Sequence, residues 1–308
     1  MINIAINGLG RIGRVLLRQI LKSKKFKVVA VNDINPDIEN VAYLIKYDST
    51  YGRLKANISI KERNIYINKN KIKFFNQDRI DKVNWRKLKV DYLIDSSGVK
   101  KNLILSRRLK NKLKNIVVTN SPGAKYVDKT LIYGVNEDNF DKSKDFLISS
   151  SICDATALAP VLKIIDKLYE IKSGFVTTLH PWLGYQNLLD GPSKSYAVPG
   201  QIIDNYALGR ASPNVLIPKN TSAIKATYEV LPNLQNKFLA NSYRIPTGIV
   251  SSADVVLETK EKPNLKKLIR EIKIYKPNII SLNKEALVSQ DFIQTEFSSC
   301  LDLRFLNV

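Results

Sequence analysis

Sulfur and imidazole are scarce in this chain: its 308 residues hold two Cys, one Met and one His. Two cysteines, Cys153 and Cys300, cannot make a disulfide framework, so the expectation is a protein of a reducing, intracellular compartment. No apolar run approaches the length of a membrane span, and the N-terminus lacks the apolar stretch of a signal peptide. A cytoplasmic location without a membrane partner is therefore expected. There is no low-complexity segment, no internal repeat, and no assignable metal site. Acids are also few. Asp and Glu number 28 against 49 Lys and Arg, a net charge of +21. Such an excess can bind nucleic acid or steer anionic substrates. Here it is diffuse, no arginine-rich or RNA-reading motif accompanies it, and Lys, Asn and Ile are abundant throughout. It reads as compositional bias, and a nucleic-acid partner is not expected.

What is present begins at the N-terminus, in a chain long enough for two domains. A short apolar strand at residues 2–6 runs into Asn7-Gly-Leu-Gly-Arg-Ile-Gly13, then into a helix with apolar Val15, Leu16, Ile20 and Leu21. A second strand at 26–31 ends in Asn32-Asp33. This is G-x-G-x-x-G in its required context, with an acid twenty residues after the last Gly. Gly8 permits the tight turn, Gly10 lets the backbone approach a pyrophosphate, and Gly13 permits close helix–strand packing. The helix N-terminus faces the phosphates. Asp33 can accept from a ribose hydroxyl and repels a 2′-phosphate, which favours NAD over NADP. Further strands are expected at 57–60, 65–67, 72–74, 92–95, 116–119 and 131–133. The fourth of these closes on Ser96-Ser97-Gly98, a usual ligand-facing place in an open parallel sheet.

The chain is organised around Ser149-Ser-Ser-Ile-Cys-Asp-Ala-Thr-Ala-Leu-Ala-Pro160. An apolar run (Phe146, Leu147, Ile148) enters it, and a 3.6-period run (Leu158, Val161, Leu162, Ile165, Leu168) leaves it. That pattern is strand, sharp turn, helix, with Cys153 at the helix start, where free N–H groups and the positive dipole end favour a thiolate. Cys153 is either a nucleophile or a small buried structural residue. Downstream, a β-branched strand at 175–179 ends in His180, the only imidazole available as a base for Cys153, though a packed core His reads the same way. From Pro181 to about Arg210 a long irregular loop is expected. Strands at 223–230, 238–245, 251–258 and 286–289, with a helix at 263–274, then suggest an α+β second domain.

Several motifs fall in one order: Asn7 to Arg14, Asn32-Asp33, Lys46-Tyr-Asp-Ser-Thr50, Ser97-Gly98, Tyr133-Gly-Val-Asn136, Cys153, Thr177-Thr-Leu-His180, Asp190-Gly-Pro-Ser193, Arg244-Ile-Pro-Thr247 and Val288-Ser-Gln-Asp291. Together they resemble phosphorylating glyceraldehyde-3-phosphate dehydrogenase. Erythrose-4-phosphate dehydrogenase is a close relative, and Pro122-Gly123 with Tyr133-Gly134 leans its way. The resemblance implies an α/β protein, with a Rossmann-type parallel sheet over 1–152 and an α+β catalytic domain, its sheet largely antiparallel, over 153–308. It implies a glycolytic-type oxidoreductase, usually a homotetramer. In it the Cys153 thiolate attacks a sugar-phosphate aldehyde, His180 takes the proton, hydride passes to NAD, and inorganic phosphate cleaves the thioester. Thr221 and Arg244 match residues that bind phosphate groups. Arg11, Ile12, Asp33 and Asn120 match cofactor contacts, beside Gly8, Gly10, Gly13 and Gly98.

The departures point elsewhere. Ile152 and Asp154 replace the Ser and Thr that flank the family's nucleophile, Leu208 stands for an Arg, Ser222 for a Gly, and Leu183 for a Thr. Asp154 adds a charge that repels phosphate and raises the pKa of a neighbouring thiol. The chain ends at Val308, before the family's next strand and closing helix, and an Asn that holds the nicotinamide carboxamide is expected to be missing with them. The alternative to a dehydrogenase is thus a repurposed paralogue that binds nucleotide, or a partner, without efficient phosphorylating turnover.

Overall fold

The computed structural model describes residues 1–194, 203, 205–276 and 278–308. The irregular loop expected from residue 181 to about 210 lies partly outside them. The chain divides into two compact units, Met1–Thr130 with Phe140–Ser150, and Leu131–Asn139 with Ser151–Val308.

The first unit is built on one sheet. Its strands are β1 (Ile2–Asn7), β2 (Phe26–Asn32), β3 (Ile58–Lys61), β4 (Asn64–Ile67), β5 (Asn70–Phe75), β6 (Tyr92–Asp95), β7 (Asn115–Val118), β8 (Lys129–Thr130) and β9 (Leu147–Ser149). They lie in the order β3-β4-β5-β2-β1-β6-β7-β9-β8. From β5 onward every pairing is parallel, while β3, β4 and β5 form an antiparallel meander. Helix α1 (Arg11–Ile20) follows β1, α2 (Ile38–Lys46) follows β2, and α3 (Lys100–Ser106) follows β6. Successive β1 side chains enter opposite cores, Ile4 and Ile6 with Leu17 and Val31, and Ala5 with Leu93 and Leu103. A strand buried on both faces has to be a continuous apolar run, which is why 2–6 reads as one. Buried Arg18 of α1 donates to the carbonyls of Ile45 (2.8 Å) and Lys46 (3.2 Å), satisfying groups at the end of α2, and to that of Gly52 (3.0 Å) in the following turn. The strand order turns at β1, whose neighbours are β2 and β6. The loops after β1 and β6 therefore meet at the switch point where open α/β sheets take ligands.

The second unit carries helix α4 (Cys153–Tyr169) and a four-stranded sheet of β10 (Ile171–Pro181), β11 (Ile217–Lys219), β12 (Phe238–Ile245) and β13 (Ser252–Thr259), ordered β11-β12-β10-β13. β10 and β12 are parallel, and the other two pairings are antiparallel. Helix α5 (Ala223–Tyr228) packs with α4 on this sheet through Leu158, Leu162, Val176, Ile224, Leu234 and Phe238. Helix α6 (Leu265–Ile274) sets Leu268 and Ile272 against Ile164 and Tyr169, near a parallel pair of β14 (Ile280–Asn283) and β15 (Ser299–Asp302).

Three expected strands are absent. Residues 223–230 begin with α5: Thr221 Oγ1 accepts from the Ala223 N–H (3.1 Å), and the buried set Ala223, Ile224, Ala226, Thr227 has helical, not alternating, spacing. Residues 286–289 lead into a 3-10 turn in which Asp291 accepts from the Val288 N–H. The strand expected at 131–133 is displaced to the short β8. No helix among the described residues is long and apolar enough to cross a membrane.

Candidate active site

The first unit offers a cradle at the start of α1. Gly8 has φ +91°, and a Cβ there would lie 2.6 Å from the Ser97 nitrogen. A Cβ on Gly13 would lie 2.0 Å from the Gly8 carbonyl oxygen. Around Gly10 the space is open. Helix α1 has no side-chain cap and no acid in its first turn, and Arg11 and Ile12 are exposed. Asp33, just past β2, accepts from the Leu9 N–H (2.5 Å) and the Asn35 N–H (2.8 Å), which fixes its carboxylate against the loop. Exposed Gly98 has φ +68°, and the Asn120 carbonyl accepts from Ser149 Oγ (2.7 Å). Beneath the loops, Asn7 donates to Asp95 (2.9 Å), Asn32 donates to Asn7 (2.7 Å), and Ser97 Oγ donates to Asp95 (2.6 Å). Burial pushes the Asp95 carboxyl up, against these hydrogen bonds. The sequence reading overlooked this network, whose members look like ordinary strand-end polar residues. An uncapped helix start with open space before it, beside an oriented carboxylate, fits a dinucleotide: N–H groups for the pyrophosphate, Asp33 for a ribose hydroxyl.

In the second unit the turn before α4 is tight: Ser151 is buried with φ +65°, and Ile152 sits at the N-cap without a side-chain cap. Cys153 is thereby the first helical residue. The parallel register of β10 and β12 pairs His180 with Arg244. Cys153 Sγ lies 3.3 Å from His180 Nε2 and 3.6 Å from Asp154 Oδ1, and His180 Nε2 lies 3.9 Å from the same Asp154 oxygen.

Cys153 reaches solvent as a residue, yet its sulfur is hemmed in by protein. Burial and then the Asp154 charge push its thiol up to about 11. The expectation of a thiolate favoured by the helix start is overturned for the resting protein, because a helix dipole contributes only about 0.3–1 kcal/mol against those two causes. His180 moves the other way: burial and then the Arg244 charge hold it below its ordinary value, against Asp154. The pair is thus neutral thiol and neutral imidazole. His180 Nδ1 faces the Pro181 carbonyl at 3.2 Å and also the Arg244 guanidinium. The two contacts call for opposite tautomers: the guanidinium can only donate, which leaves the imidazole proton on Nε2, whereas donation from Nδ1 to Pro181 leaves Nε2 bare toward the sulfur, as a base requires.

Arg244 is 5% exposed, donates to the Pro181 carbonyl (3.0 Å) and to the Tyr185 hydroxyl (3.3 Å), and has no carboxylate within ion-pair distance among the described residues. Its Nε has no partner among them. Lys219 ends β11, on the far side of β12 from His180 in strand order, and burial followed by the Arg244 charge lowers its pKa. Lys219 was missed by sequence reasoning, and no spacing marks it. Thr221 follows two residues later, half-buried, its hydroxyl accepting from the Ala223 N–H at the start of α5. A thiol, an imidazole and a buried guanidinium are thus gathered by one helix start and two strands.

Two family models match the chain. The NAD binding domain of glyceraldehyde 3-phosphate dehydrogenase covers residues 2–103, and its C-terminal domain covers residues 152–308. The chain belongs to the glyceraldehyde-3-phosphate dehydrogenase family. Glyceraldehyde-3-phosphate dehydrogenase 1 of Kluyveromyces marxianus is 34% identical over 98% of this chain and 89% of its own length. Those of Agaricus bisporus and Saccharomyces cerevisiae are each 33% identical, over 99% and 98% of this chain and 89% of their own. The chain is accordingly an NAD-dependent oxidoreductase of this type, with a Rossmann-like first unit and NAD as cofactor.

Proposed function

We propose that the chain oxidises a sugar-phosphate aldehyde of the glyceraldehyde 3-phosphate class, with Cys153 as nucleophile and His180 as base. The observation that carries this is the 3.3 Å approach of Cys153 Sγ to His180 Nε2 at the head of α4. A thiol pushed up facing an imidazole held down disfavours the resting thiolate–imidazolium pair. The proton therefore leaves sulfur as the S–C bond forms, and His180 takes it at Nε2. Carbonyl electrons move onto oxygen, and the Cys153 N–H and the imidazole lie ready to stabilise that oxyanion. NAD, when bound, supplies the two-electron acceptor that turns the hemithioacetal into a thioester. Gly8, Gly10, Arg11, Ile12, Gly13, Asp33, Gly98 and Asn120 hold it, in a domain taken as 1–152, and 153–308 carries the chemistry. Arg244, with Thr221, receives the substrate phosphate, the anion that the buried guanidinium lacks.

Asp154 favours a second reading of the last step. Its carboxylate, 3.6 Å from the sulfur, stands where an attacking phosphate would have to approach, so water competes as the acyl acceptor. Lys219 restores part of the lost positive charge. The experiment is NADH formation from glyceraldehyde 3-phosphate as phosphate is varied at fixed ionic strength. Turnover that is nearly independent of phosphate is expected. Strong saturable activation by millimolar phosphate contradicts the role given to Asp154, and no turnover in any condition contradicts the dehydrogenase reading. We also assign a second copy of the chain to the exposed apolar face of Phe175, Leu179, Leu239 and Val256 on β10, β12 and β13, consistent with a cytoplasmic homotetramer. Sedimentation velocity showing a monomer at micromolar concentration contradicts it.

A further inference from the structure

Asp154 does more than repel anions, because it adds a third donor atom to a thiol and an imidazole. We propose that Cys153 Sγ, Asp154 Oδ1 and His180 Nε2 form a three-ligand site for a borderline-soft divalent cation of the zinc type, with a fourth position open. The three atoms are separated by 3.3 Å (S–N), 3.6 Å (S–O) and 3.9 Å (N–O). A tetrahedral zinc ion, with bonds of about 2.3 Å to sulfur and about 2.0–2.1 Å to nitrogen and oxygen, needs edges of about 3.6, 3.6 and 3.4 Å. The present triangle meets these within about half an ångström, which small side-chain rotations supply. A thiolate–imidazole–carboxylate set selects zinc-like ions over magnesium or calcium. The second shell offers the Pro181 carbonyl, 3.2 Å from His180 Nδ1, as an acceptor that turns the Nε2 lone pair toward the ion once Nδ1 gives up its contact with the Arg244 guanidinium.

Charge balance permits the site. Arg244, Lys219 and the positive end of α4 oppose a bare cation. Binding exchanges the thiol proton for the metal: the S–H bond breaks, a metal–sulfur bond forms, the proton goes to solvent, and nothing is oxidised or reduced. Thiolate and carboxylate together carry two negative charges, which cancel the dication. Occupancy ties up the nucleophile, so the ion is a reversible inhibitor of aldehyde attack. This site does not depend on which aldehyde is the substrate.

The test is titration of untagged, full-length protein with cobalt(II). A thiolate-to-cobalt charge-transfer band should appear with the intense visible bands of tetrahedral coordination, and added zinc should bleach both. Cys153→Ser should lose the charge-transfer band and Cys300→Ser should keep it. Asp154→Asn should weaken cobalt binding by about 10-fold or more, with Asp154→Thr behaving alike and circular dichroism confirming both folds. One equivalent of zinc should protect Cys153, but not Cys300, from alkylation until a chelator is added. Absence of the band in the wild type, its loss in Cys300→Ser only, or unweakened binding in folded Asp154→Asn and Asp154→Thr would each overturn the proposal.

Discussion

Replacing Asp154 by Asn removes one negative charge 3.6 Å from the Cys153 sulfur and keeps the side chain's size. A unit charge at that distance contributes about 1 kcal/mol at the dielectric of water and about 4–5 kcal/mol at an effective dielectric of 20. The thiol stands at about 11 against an ordinary 9.0, and burial is the larger of its causes, so the low end applies. The variant's thiol should therefore titrate about one pH unit lower. At pH 7 the wild type holds about one part in ten thousand as thiolate, and Asp154→Asn should hold roughly ten times more. The assay is the iodoacetamide rate at Cys153 by peptide mapping, across pH 7 to 11, in buffer with chelator. The wild-type rate should climb about tenfold per unit toward 11, because the group's pKa is raised and the reactive form appears only as pH approaches it. The Asn variant should follow the same line displaced by about one unit, with Cys300 unchanged. Identical profiles, or a wild-type inflection below pH 8, would refute the assignment of Asp154 as the charge that holds the thiol protonated.

Gly13→Ala puts a Cβ 2.0 Å from a backbone carbonyl, so calorimetry should show NAD affinity falling by about tenfold or more through displacement of the loop; wild-type affinity contradicts the cradle. Asp33→Ala removes a charged acceptor, which contributes about 1.5–3 kcal/mol, and NAD binding should weaken by about 10- to 150-fold while NADP gains relative to it; an unchanged ratio of the two contradicts the ribose assignment. Arg244→Gln should raise the KM for glyceraldehyde 3-phosphate by about tenfold or more and leave the KM for unphosphorylated glyceraldehyde nearly unchanged, whereas equal effects on both would place Arg244 in support of His180 and not of the phosphate.

The parts of the fold and site legible in the sequence are those set locally. Gly8, Gly10 and Gly13 announce the first turn because backbone at those spacings admits little else, and the switch from apolar run to 3.6-residue period around Cys153 marks a helix start wherever it occurs. The approach of His180 to Cys153 depends instead on a β10 that ends level with the head of α4. The uniqueness of the imidazole and the Thr177-Thr-Leu-His180 motif of the family resemblance pointed to it. Lys219 and the Arg244 neighbourhood were opaque, since strand register in the second sheet leaves no local mark. Residues 223–230 misled because Ile, Thr, Tyr and Val suit a strand, while the burial of Ala223, Ile224 and Ala226 in one core with α4 makes a helix of most of them. The thiol's upward shift was legible only in part: the Asp154 charge that raises it shows in the sequence beside the helix start that opposes it, and the desolvation of the sulfur, the larger cause, does not.

The central claim is that Cys153, served by His180, forms the covalent intermediate. The most direct measurement is mass spectrometry of the protein quenched within one turnover with glyceraldehyde 3-phosphate and NAD, in phosphate-free, chelator-treated buffer. An acyl adduct on the Cys153 peptide, formed with one equivalent of NADH, absent without NAD and absent in Cys153→Ser, is the predicted result. NADH formed without an adduct on Cys153, or an adduct that appears on Cys300 instead, would contradict it.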